Sequence, residues 1–279
     1  MPKVPSNIES LSEKLEEISK RLALEKPSNI SPSRIRAVRK RLAQAYDELR
    51  VVIEELDPIK HPGFIFDPSN PNVVGRIVGI TMIAQPRKPL GAVERFYGSG
   101  VYALYYRGDF APYRKISGSE HPIYVGKADP EDPNSKTAKQ QGSPLAGRLA
   151  EHARTIAKTE PTLRLTDFEY RALVVQTGWQ TPAEDYLIGL FMPIWNKEVR
   201  ICYGFGKHGD APKTRANRRS PWDTLHFGRD WAHRDPNMKD ARPRPQIIED
   251  IQDHFVQHPP LQSVDEILRI FLDEIRALT

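Results

Sequence analysis

Two stretches near the amino terminus repeat apolar residues at the spacing of an amphipathic helix. In residues 6–24 apolar side chains recur at every third or fourth position behind a Ser6-x-x-Glu9 capping-box motif. A second stretch, from about Ser33 to Leu56, keeps the same heptad-like spacing after the turn sequence KPSNISPS. Because each apolar seam is narrow, we expect two helices that form a helical hairpin or an oligomer contact.

The central part of the chain alternates between strand and helix patterns. The apolar run VVGRIVGITMIA is interpreted as a strand or a buried connector, and the segments GVYALYY and IYV each predict a strand that carries Tyr. A helix is expected after Ser143, followed by a strand in FEYRALVVQT and another helix in TPAEDYLIGLF. This order of elements predicts an α+β fold.

The same patterns divide the chain into three regions. Residues 1–58 are expected to form the N-terminal helical hairpin, which would contact another copy or DNA. Residues 59–240 form the core, and residues 241–279 form a C-terminal helical extension after the linker ARPRPQ. In the last helix, Ser263-x-x-Glu266 is another capping-box motif.

Composition narrows the possible classes of protein. The 279-residue chain has a formal net charge of +5 and one cysteine, Cys202. A single cysteine excludes an intramolecular disulfide and a CxxC metal site, and it fits a reducing compartment. No run approaches the roughly 18 apolar residues of a membrane span, and the amino terminus lacks the apolar core of a signal peptide. A cytoplasmic protein without a membrane anchor is therefore expected.

Positive charge collects between residues 200 and 219. This segment is rich in Gly, and Asp210 is its only acidic residue. A flexible, cation-rich loop of this kind is typical of proteins that hold nucleic-acid phosphates, although a solvated surface loop has the same composition.

Two polar residues lie beside the apolar stripe of the helix that follows Ser143. His152 falls on the inner margin of the stripe, and Arg148 lies one turn before it. A buried guanidinium requires a carboxylate or a bound anion, and for Arg148 alone a structural ion pair is the favoured explanation. His152 alone is explained by an ordinary hydrogen bond at the helix margin.

Glu184 and Asn196 also have two explanations each. Thr181-x-x-Glu184 is a capping box, yet Glu184 also stands at the mouth of the apolar face of its helix, where a carboxylate is a suitable ligand for a hard divalent cation. Asn196, just past this helix, can hold a site through its amide or serve as a C-terminal cap.

Taken in order along the chain, these segments resemble the signature of the GIY-YIG nuclease superfamily. The matching pieces are Gly100-Val101-Tyr102, Ile123-Tyr124-Val125-Gly126-Lys127, Arg148 with His152, Glu184 and Asn196. Val101 and Val125 stand where the family name has Ile, and His152 replaces a frequent Tyr. More narrowly, GVYALYY, the long insert before PIYVGKA, the GRLAEHA helix and the basic segment after WNK resemble the type II restriction endonucleases of this superfamily that cut CCGCGG.

The resemblance implies a fold, an activity and a set of site residues. It implies a small three-stranded antiparallel sheet flanked by helices, and hydrolysis of double-stranded DNA with one divalent metal ion, Mg²⁺ or Mn²⁺ as a substitute, held by Glu184. Arg148 would neutralise the phosphoryl oxygens, and nearby cations would depress the pKa of Tyr102. Tyr102, Lys127 and His152 remain alternatives for the general base. The implied catalytic residues are Tyr102, Tyr124, Lys127, Arg148, His152, Glu184 and Asn196.

The expected partners follow from the same resemblance. A palindromic site matches a symmetric homodimer or tetramer, and no small-molecule cofactor is expected in this cytoplasmic, prokaryotic enzyme. The alternatives are a repair or homing nuclease and a DNA-binding module without catalysis. The expected DNA-binding residues are Lys207, His208, Lys213, Arg215, Arg218 and Arg219.

Overall fold

The computed structural model describes residues 6–24, 31–57, 59, 65–160, 162–206, 218–233 and 236–277. The chain divides into two compact units, Met1–Gly63 and Phe64–Thr279. The strands are β1 (Lys88–Pro89), β2 (Gly100–Tyr106), β3 (Tyr124–Ala128) and β4 (Phe168–Val174). The helices are α1 (Ser6–Leu24), α2 (Pro32–Leu56), α3 (Pro71–Ile83), α4 (Pro144–Ala157), α5 (Gln180–Phe191), α6 (Pro221–Leu225), α7 (Asp230–His233), α8 (Arg244–Gln257) and α9 (Val264–Arg276).

The first unit contains the two helices that the amino-terminal pattern predicts. None of the described side chains in α1 and α2 is buried. The apolar seams are themselves exposed, for example Leu11 and Ile18 in α1 and Val38 and Leu42 in α2. Both stretches therefore form helices, as the periodicity predicts, and their apolar faces are exposed to solvent in the single chain.

The interpretation of VVGRIVGITMIA as a strand or connector is wrong, because this run forms most of helix α3. Asn70 caps the helix by accepting a hydrogen bond from the backbone N–H of Asn72, and Pro71 occupies the first turn. A Cβ atom at Gly75 would lie 2.4 Å from the carbonyl oxygen of Pro182. The glycines thus let α3 pack closely on α5, a contact that apolar periodicity alone does not reveal.

The three predicted strands form an antiparallel sheet with one short addition. In the described part of the chain the strand order is β1-β4-β2-β3, so β2 is central and β3 is an edge strand. Tyr102 pairs with Gly126 across β2 and β3, and with Ala172 across β2 and β4. The two-residue β1 pairs with the other side of β4 and extends the expected three strands to four.

Side chains of β2 alternate between two apolar clusters. Tyr102 and Leu104 belong to the first cluster, to which α4 and α8 contribute. Tyr105 belongs to the second cluster on the opposite face, to which α3 and α5 contribute. Ser263 accepts a hydrogen bond from the backbone N–H of Glu266, as the capping motif predicts for α9. Among the described residues, no helix is long and apolar enough to cross a bilayer.

Candidate active site

The two signature tyrosines lie side by side on one face of the sheet. The ring centroids of Tyr102 and Tyr124 are 6.1 Å apart. Gly126 lies between them in β3, and a Cβ atom there would lie 2.5 Å from the hydroxyl oxygen of Tyr102. Glycine at this position therefore gives the Tyr102 side chain room to extend across the edge strand.

Helix α4 brings Arg148 and His152 to the same tyrosines. Nε2 of His152 lies 2.6 Å from the hydroxyl oxygen of Tyr102. His152 is buried, deeper than the margin position that the helical stripe predicts. Arg148 donates to Oε2 of Glu151 at 2.8 Å and to the carbonyl oxygen of Gly206 at 2.6 Å. The structural ion pair is therefore present, but a guanidinium has further N–H groups for a phosphate.

Residues 204–206, part of the Gly-rich basic segment but not predicted to be part of the site, close one side of this cluster. The ring of Phe205 stacks on His152 with centroids 4.5 Å apart and planes 22° from parallel. A Cβ atom at Gly206 would lie 2.6 Å from the hydroxyl oxygen of Tyr124. The Gly-Phe-Gly order in residues 204–206 was the available signal, because glycine tolerates such a close approach.

Lys127 lies on the opposite face of the sheet from the tyrosines. It pairs with Val101, and its Nζ contacts both carboxylate oxygens of Asp129 at 3.0 and 2.9 Å. Burial raises the pKa of Glu184, and the positive charge of Lys127 opposes this rise. The structure thus groups Lys127 with Glu184, not with Tyr102.

Glu184 is not a helix cap. The residue before α5 is Trp179, no side chain caps this helix, and Thr181 lies inside it. Burial raises the pKa of Glu184 to about 7, Lys127 opposes the rise, and the nearby carboxylates of Glu198, Asp185 and Asp129 add to it. The capping explanation is therefore wrong, and Glu184 is a partly buried carboxylate without a capping role.

Asn196 holds the edge strand. Its side-chain oxygen accepts a hydrogen bond from the backbone N–H of Val125 at 2.9 Å, and its amide donates to the carbonyl oxygen of Val125 at 2.8 Å. Helix α5 ends instead at Phe191, and its C-cap residue, Met192, has a left-handed backbone conformation. Asn196 is therefore not a helix cap; its side chain pairs with the Val125 backbone at the outer edge of β3, which no further strand covers in the described part of the chain.

The environment of the tyrosines does not favour their ionisation. Burial raises the pKa of Tyr102 well above its ordinary value, Tyr124 adds to the rise, and Arg148 opposes it. Burial also raises the pKa of Tyr124 to about 12, although Arg148 opposes this rise. In the chain by itself burial therefore outweighs the cations that were expected to depress the pKa of Tyr102.

A divalent cation fits the site through one carboxylate. Within the described part of the chain, no group of three His, Cys, Asp or Glu side chains is arranged to hold a metal ion. Mg²⁺ commonly takes only one or two carboxylates and fills its remaining positions with water and phosphate oxygens. The raised pKa of Glu184 marks a carboxylate that a cation would stabilise in its charged form.

The predicted DNA-binding residues are described only in part. Lys207, His208, Lys213 and Arg215 lie outside the described residues. Arg218 is exposed. Arg219 is half-buried, and its Nε donates to Oδ1 of Asp240 at 2.7 Å while Nη2 donates to the carbonyl oxygen of Met238. Of these two arginines, Arg218 is thus the one with an exposed side chain, whereas Arg219 makes structural contacts.

Comparison with known proteins agrees with this geometry. A search of curated proteins finds no match to the chain. The family model described as the Eco29kI GIY-YIG domain matches residues 94–255, more than half of the 279 residues. The matched span contains all the candidate catalytic residues described above. The chain therefore belongs to the Eco29kI GIY-YIG family of nucleases.

Proposed function

We propose that this protein is a type II restriction endonuclease that hydrolyses double-stranded DNA at a short palindromic site, with CCGCGG as the expected target. The observation that carries the proposal is the cluster of Tyr102, Tyr124, Arg148 and His152 on one side of edge strand β3, with Glu184 on the other side. Burial is the main cause of the raised pKa of Tyr124, and the charge of Glu184 adds to the rise, so the two groups interact electrostatically across this edge. A phosphate beside β3 could therefore contact groups from both sides.

The residues of the cluster divide the tasks of phosphodiester hydrolysis. Arg148 neutralises charge that develops on the non-bridging phosphoryl oxygens. The Tyr102–His152 pair accepts the proton of the attacking water, because the 2.6 Å contact lets His152 take a proton from a phenol that burial keeps neutral. The proposal gives Lys127 no general-base role, since it faces away from Tyr102 and contacts Asp129.

Glu184 is the protein ligand for the metal ion in this proposal, with Mg²⁺ as the cofactor and Mn²⁺ as a substitute. When bound, the ion would supply Lewis-acid stabilisation of the scissile phosphate and the leaving oxygen. Asn196 maintains the position of β3, and Lys127 balances part of the negative charge around Glu184.

The test is digestion of a plasmid of known sequence by the purified chain with Mg²⁺, followed by mapping of the ends. Cuts at one palindrome are expected, and Glu184→Ala should abolish them while duplex binding is retained. Arg148→Ala should cost about 3 kcal/mol of transition-state stabilisation, roughly a hundredfold in rate. A loss below about tenfold would instead assign Arg148 to its ion pair with Glu151.

The same experiment separates the other candidate functions. Cleavage that follows DNA shape or a lesion, without one palindromic sequence, would favour a repair nuclease. Cleavage at one long site without palindromic symmetry would favour a homing nuclease. Binding without cleavage by the wild-type chain, under Mg²⁺ or Mn²⁺, would favour a DNA-binding module.

The proposal includes a dimer in which two copies of α2 pack antiparallel. The first half of α2 is basic, with Arg34, Arg36, Arg39, Lys40 and Arg41, and the second half carries Asp47, Glu48, Glu54 and Glu55 against Arg50. An antiparallel pair places each basic half beside the acidic half of the other copy and covers both exposed apolar seams. An intrachain antiparallel hairpin with α1 would instead bring Lys20 and Arg21 toward the basic half of α2.

Mass measurement in solution tests this dimer. Leu42→Glu, in the exposed seam, should yield monomers, whereas Gln44→Glu, outside the seam, should leave the mass of the assembly unchanged. A Leu42→Glu variant that remains dimeric would exclude α2 as the interface. A Leu42→Glu variant that stays dimeric but binds DNA more weakly would indicate that α2 contacts DNA.

A further inference from the structure

We infer that Arg229 is a positioning residue for cleavage, acting through residues 204–206 on Arg148, His152 and Tyr124; this inference rests on the proposed nuclease function. Arg229 lies after the short helix α6, and its guanidinium contacts Asp223 and the backbone of residues 204 and 205. The connection consists of two sets of contacts that meet at the same segment.

The first set anchors the segment to a buried ion pair. The side chains of Arg229 and Asp223 are 1% and 0% exposed, and Nε of Arg229 donates to Oδ1 of Asp223 at 2.6 Å. The same guanidinium donates from Nη2 to the carbonyl oxygen of Gly204 at 2.7 Å and from Nη1 to that of Phe205 at 3.4 Å. One side chain thus ties a carboxylate to two successive carbonyls of the segment.

Two further contacts fix the ion pair itself. The hydroxyl of Ser220 donates to the other carboxylate oxygen of Asp223. The guanidinium carbon of Arg229 lies 4.5 Å from the centre of the Trp222 ring. A planar guanidinium is suited to this arrangement because it offers several N–H groups in fixed directions, which the single ammonium of lysine does not.

The second set joins the segment to the candidate catalytic residues. The carbonyl oxygen of Gly206 accepts a hydrogen bond from Nη2 of Arg148 at 2.6 Å. Phe205 stacks on His152, and Gly206 lies against the hydroxyl of Tyr124. Displacement of residues 204–206 would therefore move the acceptor that orients Arg148 and the ring that supports His152.

A buried ion pair is not required for stability, because apolar residues of similar volume often stabilise a core equally well. What apolar residues cannot do is donate hydrogen bonds to the carbonyls of Gly204 and Phe205. The position of these carbonyls, next to the residue that contacts Arg148, gives Arg229 its proposed role.

A double-mutant cycle with Arg229→Lys tests this role in single-turnover cleavage of a short duplex that contains the mapped site. Arg229→Lys keeps the charge and loses the planar fork. We expect it to slow cleavage at saturating protein by about tenfold or more, with the KM for DNA changed less than about threefold. In the Arg148→Ala background the same substitution should slow cleavage clearly less than in the wild type, because one of the three groups that it positions is absent.

Arg171→Lys is the matched control. Arg171 is also a buried arginine, which donates to Oε2 of Glu120 at 2.6 Å and to the carbonyl oxygen of Gln85 at 2.7 Å, but it lies on the opposite face of the sheet. It should lower thermal stability by a similar amount without the loss of cleavage rate. Equal losses of rate in the two variants, or a full effect of Arg229→Lys in the Arg148→Ala background, would overturn the inference.

A second measurement does not depend on cleavage. The side-chain NMR signal of Arg148, assigned by its loss in Arg148→Ala, should show hindered rotation of the guanidinium in the wild-type chain and in Arg171→Lys. This hindrance should disappear in Arg229→Lys, and its persistence would contradict the inference. If the wild-type chain shows the hindered rotation of Arg148 but cuts no DNA, only the proposed function is refuted. If Arg229→Lys does not fold, Ser220→Ala weakens the same ion pair more gently and takes its place in both measurements.

Discussion

The hydroxyl oxygen of Tyr102 lies 2.6 Å from Nε2 of His152, and both side chains are buried. This contact joins central strand β2 to helix α4. The short contact lets a proton pass directly from the phenol to the imidazole. Tyr124 is the less buried of the two signature tyrosines, so it forms the accessible side of the same cluster.

Tyr102→Phe should slow cleavage by about a hundredfold, the usual contribution of a general base, because it removes the hydroxyl that contacts His152. Tyr105→Phe is the control. Tyr105 points to the opposite face, where its ring lies 4.0 Å from the guanidinium of Arg87. Cleavage rates of both variants on one duplex provide the measurement, and equal effects would contradict the assignment of Tyr102 to the site.

Gly126→Ala should impair both cleavage and stability. The new Cβ atom would lie 2.5 Å from the Tyr102 hydroxyl, so the ring must shift and its contact with His152 is disturbed, at a cost of about 1–3 kcal/mol in unfolding free energy. Gly189→Ala in α5 adds the same methyl group with no atom within 4 Å and should be neutral or stabilising. Urea unfolding and cleavage assays compare the two, and a fully active Gly126→Ala variant would show that this close approach is unimportant.

Glu184 should make the metal-free chain less stable as the pH rises. Its carboxyl group holds a proton up to about pH 7 when folded, but only up to about 4.5 in an ordinary environment. Between these values the folded state binds more protons than the unfolded state, so stability falls as pH rises through this window. In urea unfolding, the free energy of unfolding of Glu184→Gln relative to that of the wild type should increase as the pH rises from about 5 to about 8.

The same titration should control metal binding. Mg²⁺ requires the charged carboxylate, so its affinity for the wild-type chain should rise up to about pH 7 and then level off. Calorimetry should detect proton release on binding below this pH. A Glu184→Gln variant that binds Mg²⁺ with the same pH dependence would place the metal elsewhere.

Asn196→Ala should destabilise the edge of the sheet by about 1–3 kcal/mol, since it leaves the buried N–H and carbonyl of Val125 without their partners. The Val125 amide should exchange with solvent faster than in the wild type. Asn196→Asp retains the acceptor but cannot donate when ionised, so it should restore only the protection of the Val125 N–H. Unchanged exchange in Asn196→Ala would remove Asn196 from the support of β3.

Arg218 and Arg219 should respond differently to alanine. Arg218 is exposed, and its loss should weaken DNA binding, by about 1–3 kcal/mol at one base pair if it contacts a guanine edge. Arg219 contacts Asp240 and Met238, so its loss should lower stability first. Cleavage of a set of DNA sites that each carry one base-pair substitution measures the specificity of the two alanine variants. A relaxed specificity in Arg219→Ala at unchanged stability would reverse these roles.

The sequence by itself determined the elements and the order of the site residues. Strand alternation placed Tyr102 and Tyr105 on opposite faces, and the helical stripe directed Arg148 and His152 toward the body of the protein. Both results depend on local periodicity, which a backbone preserves wherever the element packs. Alternation along β3 was also sufficient to separate Lys127 from Tyr124, because residues three apart in a strand face opposite ways.

Tertiary structure decided what each polar group contacts. The close packing of α3 on α5 is a tertiary feature of the helix formed by VVGRIVGITMIA, and only the observed start of α5 removed Glu184 from a capping role. Asn196 meets Val125, 71 positions away, and Arg148 meets Gly206, 58 positions away. Such pairings depend on the long-range packing of the whole unit, so residue spacing cannot specify them, and burial then sets the pKa of Tyr102 and Glu184.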